Sequence, residues 1–174
     1  WFTPDSRTDR ASLGLVVGDK GTLMLDIGAS PAHTREFLQI LNDEGLPPPD
    51  SAILTHWHWD HSFGMDALKI PFAAHRDTAK NLQRLVSYDY SDQGLEDLVK
   101  RGIEVEFVRD HMIIELDNTQ RHNLKLRQPD YIFDDKHHYD LGSASCEVLH
   151  VGGDHAIDSC IMYIPEDKVL FMGD

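Results

Sequence analysis

The stretch from Thr22 to Thr55 constrains the fold more than any other, because it writes strand, helix and strand in succession. Thr22–Ile27 is apolar with β-branched residues, and Asp26-Ile27-Gly28 closes it. Ser30 suits a helix N-cap and Pro31 the first helical turn. Phe37, Leu38, Ile40 and Leu41 supply the apolar face of that helix, and Gly45 stops it. Pro47-Pro48-Pro49 then leads stiffly into the short apolar run Ser51–Thr55. A helical crossover between two strands makes a parallel pair, so the expected class is α/β.

The rest of the chain fits around this unit. Ala11–Gly18 reads as a strand joined to Thr22–Ile27 through the turn residues Gly18-Asp19-Lys20-Gly21. Ile70–Ala74 is another short strand. Residues from about Asp77 to Arg127 read as mainly helical, with Gly94 and Gly102 as punctuation, and form a candidate cap over residues 77–127 of a domain spanning 1–174. Tyr131–Phe133, Lys136–Leu141, Ser145–Val151, Ser159–Ile164 and Lys168–Met172 read as strands, with Ile164–Lys168 as a hairpin turn.

Thirty acidic against sixteen basic side chains give a formal charge of −14. That field repels nucleic-acid backbones and anionic membranes, although Arg121, Lys125 and Arg127 could form a local basic patch. No apolar run reaches the length of a membrane span. A small-molecule substrate and a cytoplasmic location are therefore the expectations, and oligomeric state is left open. Cys146 and Cys160 lack metal-ligand spacing and read as buried thiols on strands, with a disulfide between them left open.

Thr55-His56-Trp57-His58-Trp59-Asp60-His61 carries the chemistry. In an extended segment residues two apart point the same way, so His56 and His58 can converge on one ion. Asp60 and His61 fall where the chain turns, beside Gly64, and can face a second ion nearby. Imidazoles with a carboxylate suit zinc, and also iron or manganese. His137-His138, by contrast, reads as a solvated turn, and His150 as loop packing. Trp57 and Trp59 alternate with the ligands and should face away from them, with core packing as the first reading and pocket lining as the second. Tyr88, Tyr90 and Arg101 are candidates to shape a pocket, with packing as the plainer reading of each.

Thr55–His61 resembles the signature of the metallo-β-lactamase fold superfamily, an αββα sandwich with metals at one edge. Asp26-Ile27-Gly28, Gly152–Ser159 and Leu170–Asp174 resemble further family segments in the same order. The resemblance implies that His56, His58 and His155 hold one metal and that Asp60, His61 and Asp174 hold a second, Asp174 bridging both. It makes Asp26 an orienting partner of a ligand histidine, with an ordinary turn residue as the alternative. It implies two zinc ions, with a hydroxide between them as the nucleophile, cleaving an ester, thioester, lactone or phosphoester. Asp60 could orient that nucleophile as well as bind metal. No leaving-group proton donor is identified.

An aspartate at position 174 resembles the glyoxalase II-type thioesterases, lactonases, phosphodiesterases and nucleases, whereas the true zinc β-lactamases often place a cysteine there. The negative charge disfavours nucleic-acid substrates. Two alternatives share the fold: a mononuclear iron oxygenase of the persulfide dioxygenase kind, and a non-catalytic domain. Flavodiiron proteins fit less well, because they usually carry glutamate where His58 stands. The family pattern continues past this aspartate to a final histidine, so the chain is expected to lack the C-terminal part of the sandwich, leaving Lys168–Asp174 poorly supported. No Walker loop, Gly-x-Ser-x-Gly elbow or His-Glu-x-x-His is present.

Overall fold

The computed structural model describes residues 8–174. β1 (Gly14–Val17) and β2 (Thr22–Leu25) form the hairpin, closed where Gly18 donates its N–H to the Gly21 carbonyl at 3.0 Å. α1 (Pro31–Asp43) follows, and the Ser30 side chain accepts from the His33 N–H as its cap. β3 (Ser51–Ile53) returns parallel to β2, with Leu23 opposite Ser51 and Leu25 opposite Ile53. The βαβ unit is thus present as read. β4 (Phe72–His75) and β5 (Tyr131–Phe133) extend the parallel arrangement, giving a sheet in the order β1-β2-β3-β4-β5.

β6 (Lys136–Asp140), β7 (Ser145–His150), β8 (Cys160–Ile164) and β9 (Val169–Phe171) make an antiparallel meander. Lys136–Leu141 is therefore a strand, and the turn reading of His137-His138 is corrected: both lie within β6, where His137 stacks on Phe133. β6 is an edge strand whose exposed residues are polar, so its composition resembles that of a turn.

Leu23, Leu25 and Ile53 from the first sheet meet Cys146, Val148, Cys160 and Met162 from the second, and this apolar layer joins the two. The other face of the first sheet, through Met24, Ala52, Leu54 and Ala74, packs against helices. These are α1, α3 (Arg76–Leu85), α4 (Asp92–Lys100) and α5 (Glu106–Glu115), with α2 (Trp59–Ser62) and α6 (Asn118–His122) as short turns. The fold is the α/β sandwich of the family resemblance. The described residues build three of its four layers: helices, sheet and sheet. On the outer face of the second sheet Glu147 and Leu149 are exposed, and β9, paired only to β8, leaves Val169 and Leu170 exposed.

Both cysteines are free and buried, and burial pushes their thiols up to about 12. Arg121 takes no part in the expected basic patch. Arg121 is buried, ion-paired with Asp92 and donating to the Tyr90 and Leu116 carbonyls, while Arg127 pairs with Asp130 and lies over Phe72. Among the described residues no helix is long and apolar enough to cross a membrane.

Candidate metal centre

The chain runs from the C-terminal end of β3 through Thr55 to His58, then turns into α2, whose first residues are Trp59, Asp60 and His61. Outside the carboxyl ends of parallel strands is where open α/β sheets place their sites. His155 arrives on the loop between β7 and β8, and Asp174 follows β9. The two sheets are joined at this end, where Cys160 donates its N–H to the Thr55 carbonyl at 2.9 Å. Gly173 allows Asp174 to come in: its φ is +73°, and a Cβ there would lie 2.7 Å from Thr55 Oγ1.

His56 Nε2 lies 3.0 Å from His58 Nδ1 and 3.2 Å from His155 Nε2. Nitrogens about 2.0–2.1 Å from a tetrahedral zinc sit roughly 3.3 Å apart, so these three have the spacing of one cation's ligands. His61 Nε2 lies 3.1 Å from Asp60 Oδ2 and 3.1 Å from Asp174 Oδ1. The other oxygen of Asp174 reaches to 3.5 Å from His155 Nε2, so this carboxylate spans both groups. His56, His61 and Asp174 also gather ligand atoms within 4.8 Å of one another. All six residues singled out in the sequence therefore meet at one locus.

The surroundings orient these rings. His61 Nδ1 donates to Asp26 Oδ2 at 2.7 Å, which turns Nε2 towards Asp60 and Asp174. Asp26 also accepts from the Thr55 N–H at 2.6 Å and the Thr55 hydroxyl at 2.8 Å. With its proton committed to Asp26, the Thr55 oxygen can accept from His56 Nδ1, 3.0 Å away, which leaves the His56 Nε2 lone pair for the cluster. Asp26 therefore holds Thr55 and the His61 ring by hydrogen bonds. Thr55 does the same work and went unassigned in the sequence; its position at the strand end beside His56 was the available signal.

Electrostatics separate the rings. Burial, with the neighbouring His61 and His58, lowers His56 to about 2, and burial, with His155, lowers His58 to about 4. Both are neutral at pH 7, the form that binds metals. Burial also pulls His61 down, but the carboxylates of Asp26 and Asp60 and the hydrogen bonds of Asp174 and Asp26 outweigh it and raise His61 well above its ordinary value. Its hydrogen bond to His61 leads in lowering Asp174 to about 2. Two neutral imidazoles beside a site rich in carboxylate form a donor set that fits divalent cations.

A cavity of about 440 Å³ opens on this cluster. Its polar end carries His58, Asp60, His155 and Asp174; the rest of its wall is mostly apolar. Trp57 and Trp59 both line it, so the expectation that they turn away from the site is corrected in part. Trp59 is buried, while Trp57 lies edge-on to His58 with Arg84 over its ring. Tyr88, Tyr90 and Arg101 do not line this cavity; the Tyr90 hydroxyl is used on the Leu85 carbonyl. His150 stacks on His75 and bonds the Ile157 carbonyl at 2.8 Å, bracing the loop that carries His155.

Residues 7–174 match the family profile of the metallo-β-lactamase superfamily. The chain belongs to that superfamily. An acyl-coenzyme A thioesterase, MBLAC2 of Gallus gallus, is 27% identical over 171 residues, covering 95% of this chain and 57% of the relative. The chain thus spans little more than half that relative's length. Two solved metallo-β-lactamases share the fold. That of Pontibacter korlensis has a TM-score of 0.60 at 20% identity over 93% of this chain and 64% of its own. That of Cronobacter sakazakii has a TM-score of 0.63 at 14% identity over 94% of this chain and 57% of its own.

Proposed function

We propose that this chain carries a dinuclear zinc centre and catalyses hydrolysis of an ester, thioester, lactone or phosphoester, with a thioester favoured. His56, His58 and His155 would hold one ion, and Asp60 and His61 the second, with Asp174 between them. The reading rests on one observation above all: six donor side chains meet at one locus, with His61 turned towards it by Asp26. The acyl-coenzyme A thioesterase relative supports the thioester.

Divalent ions bound there would bring the pKa of a water towards neutrality and polarise the oxygen of the group under attack. The protein's own part is positional. Asp26 and Thr55 fix the ring orientations of His61 and His56, so the donors are set before substrate arrives. The buried Asp60 carboxylate borders the cavity and can accept a hydrogen bond from the attacking water, holding it against the substrate. The apolar wall keeps bulk water away from the reacting group. The products of thioester cleavage are a carboxylic acid and a thiol.

The test is a screen of esters, thioesters, lactones and phosphodiesters with the zinc-loaded protein beside Asp60→Asn. Hydrolysis of at least one class, with kcat lowered about 10²–10⁴-fold in Asp60→Asn, is expected. Turnover unchanged by Asp60→Asn would contradict the role of Asp60, and no turnover of any class would contradict the hydrolase.

A further inference from the structure

The polar end of the cavity accounts for a reacting group, but most of its wall has no part in that chemistry. Trp57, Leu85, Ile103, Phe107, Val108 and Met112 line it, drawn from the metal-site loop, the end of α3, and α5 with its approach. Phe107 remains 54% exposed although it faces this cavity. The cavity volume, about 440 Å³, lies in the roughly 300–1,000 Å³ range of small-molecule sites. An apolar surface continuous with a hydrolytic centre gains free energy when an apolar group covers it.

We infer, resting on the hydrolase reading, that the substrate is the ester or thioester of an apolar acyl chain, its carbonyl at the His58–Asp60–His155–Asp174 end and its chain along the α5 wall. Glu104 is the acidic side chain on this wall, and Asp9 borders the polar end. Each sets a limit to the apolar surface and disfavours an anionic acyl group. Short polar acyl groups would leave Phe107 and Val108 uncovered and gain nothing from them.

The test separates binding from turnover. Saturated fatty acids of increasing length, the products of such a reaction, are titrated into the metal-loaded protein while tryptophan fluorescence is read, since Trp57 and Trp59 border the cavity. Affinity is expected to rise about fourfold per methylene until the cavity is filled, then level off. Val108→Phe should move that limit to shorter chains, and Val108→Asp should flatten the series. Hydrolysis of two-carbon and longer p-nitrophenyl esters is measured in parallel. Length-dependent binding without turnover of any ester would sink the hydrolase reading while leaving an acyl-chain site in place. Turnover and affinity that are both indifferent to chain length would overturn the acyl-chain inference and leave the hydrolase standing.

Discussion

Asp26 reaches its partners from a backbone conformation that most side chains avoid. Its φ is 57°, in the left-handed region, and its carboxylate is fully buried between Thr55 and His61. Aspartate tolerates that region better than most residues, and strain of this kind concentrates at functional sites. Replacing a residue that orients a ligand typically costs 10–100-fold in metal affinity, so Asp26→Asn is expected to weaken zinc binding by about that factor. Competition with a chromophoric chelator measures it, and unchanged affinity would reduce Asp26 to a turn residue. Glu104 gives a second prediction. Burial raises its carboxyl above the ordinary range, against the pull of Arg84. A raised value in the folded state means that the folded chain holds this proton more tightly than the unfolded chain does, so stability is lost as pH rises. Glu104→Gln should therefore match the unsubstituted protein at pH below the ordinary carboxylate range and be the more stable above the raised folded-state value. Thermal unfolding across pH tests this, and a gap that opens only on acidification would contradict it. His56, His58, Asp60 and His61 were legible in the sequence because they lie within six residues, whereas His155 and Asp174 rested on resemblance. That Asp26 orients a ligand histidine rested on resemblance, and which histidine was not legible, since no local pattern links residues so far apart.

Among the elements, α5 matters most to the cavity and was the hardest to place. Glu115 at its end is buried, accepts from the Ser30 hydroxyl and pairs with Arg10 at 2.9 Å, while Arg10 also pairs with Glu36 on α1. Ser30 also caps α1, so one side chain joins the start of α1 to the end of α5. Losing a hydrogen-bonded buried charge typically costs about 1.5–3 kcal/mol, and Glu115→Ala should destabilise the protein by that much. Urea unfolding reads the loss, and amide exchange should rise along α5 before the sheets; uniform exchange would mean that Glu115 anchors nothing in particular. Strands were legible from alternation and from apolar runs between turn residues, and α1 from its cap and apolar face. The placement of α5 was not, because only Met112 and Glu115 along it are buried and its contacts come from far along the chain. Tyr90 follows the plainer of its two readings, packing, with surroundings set by Phe63 and Arg121 and not by neighbours in sequence.

At the scale of the molecule, two sheets packed through one apolar layer present their loops at a common end, and helices on the far face of the first sheet wall a cavity there. The net charge of −14 is partly concentrated where cations would offset it, around Asp26, Asp60 and Asp174. The fold class was readable from the strand–helix–strand order alone; the layering was not, because which sheet face meets which is decided by contacts between strands distant in the chain. The account as a whole depends on cations at the six-residue cluster. Metal content by native mass spectrometry, on protein purified without added metal or chelator and beside His58→Ala, tests this most directly. Two zinc ions per chain, reduced in His58→Ala, is the result expected, and a chain that binds no divalent metal in either form would contradict it.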